Sequence, residues 1–154
     1  MSVRAFVDAN VLVYAHDAGA GLKHARAATL VAGLWQSGEG VVSTQVLHEF
    51  FVNVTRQCAN PPTVAEAKAW IADYMYWQVI VNDADAILEA IDLQARHPLS
   101  LWDALVVQAA YVAGAELLYS EDLNHGQYYG TVRVQNPFHD LDGMTLRPLA
   151  ACSG

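Results

Sequence analysis

The sequence predicts an α/β fold built on a mainly parallel sheet covered by helices on both faces. Three observations predict it. Short apolar runs at residues 3–7, 41–42, 78–81, 117–119 and 131–135 alternate with longer segments whose apolar residues recur every three or four positions. Four of the five runs are mostly apolar, as strands buried on both faces are. The chain is 154 residues long and 54% hydrophobic, enough apolar material for one core and one domain. The expected layout is a domain over residues 1–138 with residues 139–154 as its tail.

The elements follow in order. Residues 3–7 form a strand ending at Asp8, and a helical pattern runs over 11–16. From 22 to 36, Ala25, Ala28, Leu30, Val31, Leu34 and Trp35 recur at helical spacing until the Gly38-Glu39-Gly40 turn. Val41 and Val42 are a brief strand. Ser43 or Thr44 caps the next helix, to about Arg56, because a hydroxyl accepts a bond from an unpaired first-turn N–H. Asn60-Pro61-Pro62 ends it. Thr63 caps a helix through residue 75, a strand occupies 78–81, and a helix over 83–96 stops at Pro98. Ser100 opens a helix that closes near Gly114, and strands at 117–119 and 131–135 complete the sheet. Residues 140–154 show no clear period.

The formal net charge is -8, from 16 acidic and 8 basic residues. That excludes binding of nucleic acid by general phosphate neutralisation, so any such role rests on a local site. It also fits carboxylates gathered around a hard cation, for which oxygen ligands are suited. Cys58 and Cys152 are far apart and form no CxxC pair, so neither a disulfide framework nor a zinc site is expected. The N-terminus lacks an apolar leader with a cleavage site, and no stretch approaches the roughly 20 apolar residues of a membrane span. A soluble, cytoplasmic protein is the expectation, with no membrane contact.

Ligands of open parallel sheets collect beyond the carboxyl ends of the strands. Asp8 ends the first strand, Asp122 follows the strand at 117–119, and Glu49 lies on the helix after Val41-Val42. On that helix Val46, Leu47, Phe50, Phe51 and Val54 fill one arc, with Glu49 and Asn53 on its margin. Asp103 sits in a first turn, where Ser100-Leu101-Trp102-Asp103 resembles a capping arrangement that also suits the helix dipole. Its helix is apolar nearly all round, which suggests deep burial and a carboxylate in need of a partner. Each acid taken singly has an ordinary structural explanation: an Asx turn, a surface glutamate, a cap or a polar loop. Together they share one edge of one sheet.

At these residues the sequence resembles the PIN-domain family, and within it the VapC-like toxins of bacterial toxin–antitoxin pairs. The matching pieces are Phe6-Val7-Asp8-Ala9-Asn10-Val11-Leu12-Val13-Tyr14, Ser43-Thr44-Gln45-Val46-Leu47-His48-Glu49-Phe50, Leu101-Trp102-Asp103-Ala104 and Tyr119-Ser120-Glu121-Asp122-Leu123-Asn124-His125-Gly126, in that order. Asn136-Pro137-Phe138 resembles the family's usual ending. One departure is Ala9, where the family commonly has Thr or Ser. The resemblance implies a three-layer α/β/α sandwich, Mg2+- or Mn2+-dependent endonucleolytic cleavage of RNA, a homodimer and a cognate antitoxin partner. It makes Asp8, Glu49, Asp103 and Asp122 the catalytic, metal-binding set, Asp8 and Asp103 ligating directly and the others directly or through water. Asn10, Ser43, Thr44 and Asn124 are then the residues that orient ligands or substrate. Lys23, Arg26 and Arg56 are candidate phosphate contacts, and Tyr128 and Tyr129 candidate base-stacking rings.

Three readings compete: a non-catalytic binding module of the same fold, an aspartyl-phosphate phosphatase with Asp8 as nucleophile, and a DNA-binding regulator. The phosphatase would want a second acid two residues after Asp8, where Asn10 stands. Net charge disfavours the regulator unless a basic partner supplies the contact surface.

Overall fold

The computed structural model describes residues 3–56 and 58–141. The described elements are β1 (Ala5–Val7), α1 (Ala9–His16), α2 (Leu22–Ser37), β2 (Gly40–Ser43), α3 (Thr44–Arg56), α4 (Val64–Tyr74), β3 (Gln78–Ile80), α5 (Ala84–Arg96), α6 (Leu101–Val112), β4 (Leu117–Tyr119), β5 (Tyr128–Tyr129) and β6 (Val132–Gln135). Short 3-10 turns add residues Ala18–Ala20 and His139–Leu141. The expected α/β architecture is present. Of the tail, residues 142–154 lie outside the described residues.

Helix starts are set by side chains that satisfy first-turn N–H groups. Thr63 and Glu66 exchange reciprocal bonds, Thr63 Oγ1 accepting from the Glu66 N–H at 3.1 Å and Glu66 Oε1 accepting from the Thr63 N–H at 3.0 Å. Asp83 accepts from the Ala86 N–H at 2.9 Å, and Ser100 from the Asp103 N–H at 3.1 Å. Ser43, not Thr44, caps α3, accepting from the Val46 N–H at 3.2 Å. Gly38 ends α2 in the left-handed region, φ 73°, where a side chain would be strained.

The sheet order is β3-β2-β1-β4-β6-β5, parallel except for the β5–β6 pair. Chain connectivity explains the layers. Steps from β1 to β2 and from β2 to β3 move one way across the sheet, whereas β3 to β4 jumps back past β1. Parallel crossovers are right-handed, so the two directions put their helices on opposite faces. Accordingly α1 to α4 pack among themselves and α5 packs with α6, while α6 also touches β2, β4 and β6. The direction of travel reverses between β1 and β4, which opens a crevice beyond their carboxyl ends.

The core is formed by the sheet residues Phe6, Val7, Val41, Val42 and Leu118, joined by Leu12, Val13, Phe50 and Val54 from α1 and α3. One expectation needs amendment. Helix α6 is buried only through its middle, residues 104–110, whereas Trp102 at its start is 66% exposed and Tyr111 and Val112 are exposed at its end. Its all-round apolar sequence reflects a buried middle between two accessible ends. Cys58 is buried, and Cys152 lies outside the described residues. The short β5 was also unanticipated, since two residues carry no readable period. No helix among the described residues is long and apolar enough to cross a membrane.

Gly40 opens β2 beneath the indole of Trp77. A Cβ there would lie 2.6 Å from Trp77 Cδ2, and the ring is a buried wall of the core rather than a mobile tip. Gly40→Ala should therefore destabilise the fold by about 1–3 kcal/mol through overpacking. A urea unfolding midpoint equal to that of the parent chain would disprove this account.

Candidate active site at the carboxyl ends of β1 and β4

Register places the first two site residues side by side. Val7 pairs with Tyr119 and the Asp8 N–H donates to the Tyr119 carbonyl at 2.9 Å, so the next residues, Asp8 and Ser120, emerge together. Asp8 is only 5% exposed. Its Oδ1 accepts from the Ala9 N–H at 2.7 Å, which caps α1, and its Oδ2 accepts from the Ser120 hydroxyl at 2.8 Å. Ser120 Oγ in turn accepts from the Asp122 N–H at 3.2 Å. Asn10 completes the link: its amide donates to Asp122 Oδ2 at 3.1 Å and its oxygen accepts from the Glu121 N–H at 3.3 Å. One hydroxyl and one carboxamide thus fix the β4 loop against the start of α1.

The other two acids arrive from opposite faces of the sheet. Glu49 lies on α3, where Gln45, one turn earlier, donates to Glu49 Oε1 at 2.7 Å. The same amide nitrogen donates to the Trp102 carbonyl at 3.2 Å, joining α3 to the first turn of α6 beside Asp103. Asp103 is partly buried, and its backbone N–H is held by Ser100. The capping explanation for Asp103 is therefore correct for its backbone, and the Ser100 side chain also bonds the Asp103 carboxylate.

The acids feel one another. Burial, opposed by the Ser120 and Ala9 hydrogen bonds and reinforced by the charges of Glu49 and Asp122, raises the Asp8 carboxyl to about 7. Glu49 is raised by burial too, against its bond from Gln45, with repulsion from Asp103 and Asp122 adding to it. Burial raises Asp103 as well, against a bond from Ser100, with Asp122 contributing. The four predicted acids therefore form one electrostatic group. Among the described residues, no three His, Cys, Asp or Glu side chains converge into a ready-made metal cage.

The remaining predicted residues are placed less uniformly. Ser43 is consumed by the α3 cap. Thr44 is tied to the loop before α5, its hydroxyl donating to Asn82 Oδ1 at 3.0 Å and accepting from the Asn82 N–H at 3.2 Å. Asn124 braces its own turn by donating to Gln127 Oε1 at 3.1 Å. Lys23 forms an ion pair with Glu121 and lies over the Tyr14 ring, 5.0 Å from its centroid. Arg26 is bidentate to Asp140, at 2.7 and 3.1 Å, and donates to the Pro137 carbonyl. Arg56 is exposed in the last turn of α3. Tyr128 is exposed, whereas Tyr129 is buried edge-on against His97. Ser120 and Gln45 are the residues that sequence reasoning did not single out as site residues. Their signals were present: Ser120 is the first residue past β4, and Gln45 stands four before Glu49.

Asp8 carries a stability consequence whose sign is fixed by the direction of its shift. The folded chain holds this proton more tightly than the unfolded one, whose carboxyl titrates near 3.8. The stabilising contribution is complete below that value and is lost as pH rises to about 7, leaving a cost on the order of 4 kcal/mol above it. Metal-free Asp8→Asn should then melt higher than the parent near pH 8, and the gap should close toward about pH 4. Thermal unfolding in chelator at both pH values checks this; a parent chain as stable as the variant near pH 8 would refute it.

The PIN domain family model matches residues 5–130, most of the chain. No curated relative matches it. Among solved structures, the VapC20 toxin of Mycobacterium tuberculosis, which cleaves the sarcin–ricin loop, is 22% identical with a TM-score of 0.57, over 77% of this chain and 89% of that one. A toxin–antitoxin complex from Klebsiella pneumoniae is 16% identical at TM-score 0.58, covering 92% of each chain. VapBC2 of Rickettsia felis, bound to a DNA fragment from its promoter, is 14% identical at 0.60, over 86% and 97%. At such identities these structures share the fold. The family model alone covers most of the chain: the chain belongs to the PIN-domain family.

Proposed function

We propose that this chain is a divalent-metal-dependent endoribonuclease and the toxin of a toxin–antitoxin pair. The observation that carries the reading is the electrostatic coupling of Asp8, Glu49, Asp103 and Asp122 at the strand ends, centred on an almost wholly buried carboxylate. Such a group is costly without cations, and its mutual repulsion is relieved by a hard divalent ion. The donor set fits Mg2+ or Mn2+. Mg2+ keeps several waters and is commonly held by one or two carboxylates, so it does not require a preformed three-ligand cage. Asp8 and Asp103 would hold it directly, with Glu49 and Asp122 ligating directly or through water. When bound, such an ion lowers the pKa of water and stabilises charge on the scissile phosphate.

The chain's own residues do the positioning. Ser120 fixes the Asp8 carboxylate and the Asp122 backbone with one hydroxyl, Asn10 aims Asp122, and Gln45 aims Glu49. A carboxylate raised above its ordinary range by burial, as Glu49 is, is a stronger base and can accept a proton from an attacking water. The alternative, a non-catalytic module of the same fold, is disfavoured because it gives no use to this costly group. RNA as substrate and an antitoxin as partner are supported by the solved neighbours, which include an RNA-cleaving toxin and toxin–antitoxin complexes. A homodimer and a cytoplasmic site of action complete the proposal.

The deciding assay incubates the chain with structured RNAs and Mg2+ or Mn2+, with and without chelator. Cleavage should require the metal and fall by at least about 100-fold in Asp8→Asn and Asp103→Asn. Ser120→Ala, which leaves all four acids in place, should lose about 10-fold. Undiminished cleavage by folded Asp8→Asn would sink the site, and absence of metal binding by the parent would favour the inert module.

A further inference from the structure

A second concavity lies at the far end of α1, away from the acids. Helix α1 runs eight residues from its Asp8 cap to His16, about 12 Å at 1.5 Å per residue. There a pocket of about 330 Å³ is lined by His16, Trp35, Trp70, Asp73, Tyr74 and Tyr76. Its rings are set at varied angles. Trp70 leans over His16 with centroids 4.3 Å apart and planes at 33°, Trp35 meets Tyr74 at 5.7 Å and 31°, and Tyr74 stands edge-on to His16. His16 Nε2 and the Tyr74 hydroxyl are hydrogen-bonded at 2.8 Å, which braces the two rings against each other.

Core packing accounts for Tyr74, which is 2% exposed and forms the floor of the hollow, but not for the rings at its rim. Trp35 is 41% exposed and Tyr76 87% exposed, so large aromatic faces are left to solvent around a hollow. The hollow also has a sign. Aromatic faces present negative charge density, Asp73 adds a carboxylate, and neither Lys nor Arg lines it. Burial, helped by His24, depresses the His16 ring to about 4, so it brings no opposing positive charge at neutral pH. The volume lies at the lower end of ligand pockets, enough for one compact head group.

We propose that this aromatic box binds an organic cation, a quaternary ammonium or guanidinium group, between the rings of Trp35, Trp70, Tyr74 and Tyr76 with Asp73 at its rim. The cation is either a free small molecule or the end of a basic side chain; the chemistry of recognition is the same. This inference stands independently of the nuclease reading.

Two of the lining residues are tryptophans, so intrinsic fluorescence of the full chain reports occupancy. Choline and free arginine are titrated against their neutral counterparts, 3,3-dimethylbutan-1-ol and citrulline. Saturable quenching by the cations, at least about ten-fold weaker for the neutral partners, is expected. Asp73→Asn, at an exposed position, should weaken cation binding about five-fold, and Trp35→Leu should abolish the signal. A blocked Gly-Arg-Gly peptide binding ten-fold more tightly than free arginine would identify a protein side chain as the occupant, and equal affinity a free cation. Equal binding of choline and its neutral isostere, affinity unaltered in Asp73→Asn, or no saturable quenching into the millimolar range would each overturn the proposal.

Discussion

The handedness of parallel crossovers is the constraint on which the remainder depends. Two successive crossovers carry the sheet outward from β1, and the third must return to the other side of it. The reversal separates α1–α4 from α5–α6 and leaves the carboxyl ends of β1 and β4 without a helix crossing between them. Asp8 and Asp122 occupy that gap because they follow those two strands. Glu49 and Asp103 reach it from helices on opposite faces, and the Gln45 amide that touches both α3 and α6 draws those faces together at the rim. Four acids more than 110 residues apart at their extremes are thus neighbours by topology rather than by local sequence.

The concentration of carboxylates opposes stability. Asp8 is buried at a helix start, where the Ala9 N–H and the Ser120 hydroxyl recover part of the desolvation cost, yet its carboxyl remains far above its ordinary range. The surrounding core offsets that cost. Phe6 and Val7 precede Asp8 with no solvent exposure, and Val11, Leu12 and Val13 follow it, so the strained charge is held between two of the best-packed segments of the chain. A rigid scaffold beneath an unfavourable cluster is the arrangement that allows the cluster to be relieved by binding instead of by movement.

The legible parts of the sequence were those governed by nearby residues. Thr63 with Glu66, Asp83 and Ser100 each cap within one turn, and the helix periods between them survive in the structure with boundaries shifted by a residue or two. The acids were legible because each follows a strand or helix start in a recognisable order. What escaped was set by distant partners. Lys23 and Arg26 read as candidate phosphate contacts, but their carboxylates, Glu121 and Asp140, lie about a hundred residues away. Ser120 read as one polar residue of a loop until the β1–β4 register placed it beside Asp8. The pocket of Trp35 and Trp70 joins α1, α2 and α4 and has no signature within any one of them.

The ion pairs of Lys23 and Arg26 have one more effect. Of the eight basic residues in the chain, these two and Arg4 are already matched to carboxylates, on a molecule whose formal charge is -8. A basic nucleic-acid binder loses affinity as salt rises, because neutralised phosphates no longer release counterions. Here acidic residues outnumber basic ones sixteen to eight, and ionic strength acts chiefly on the repulsion between like-charged bodies. Encounters between this chain and a polyanion should therefore quicken, not slow, as monovalent salt is added.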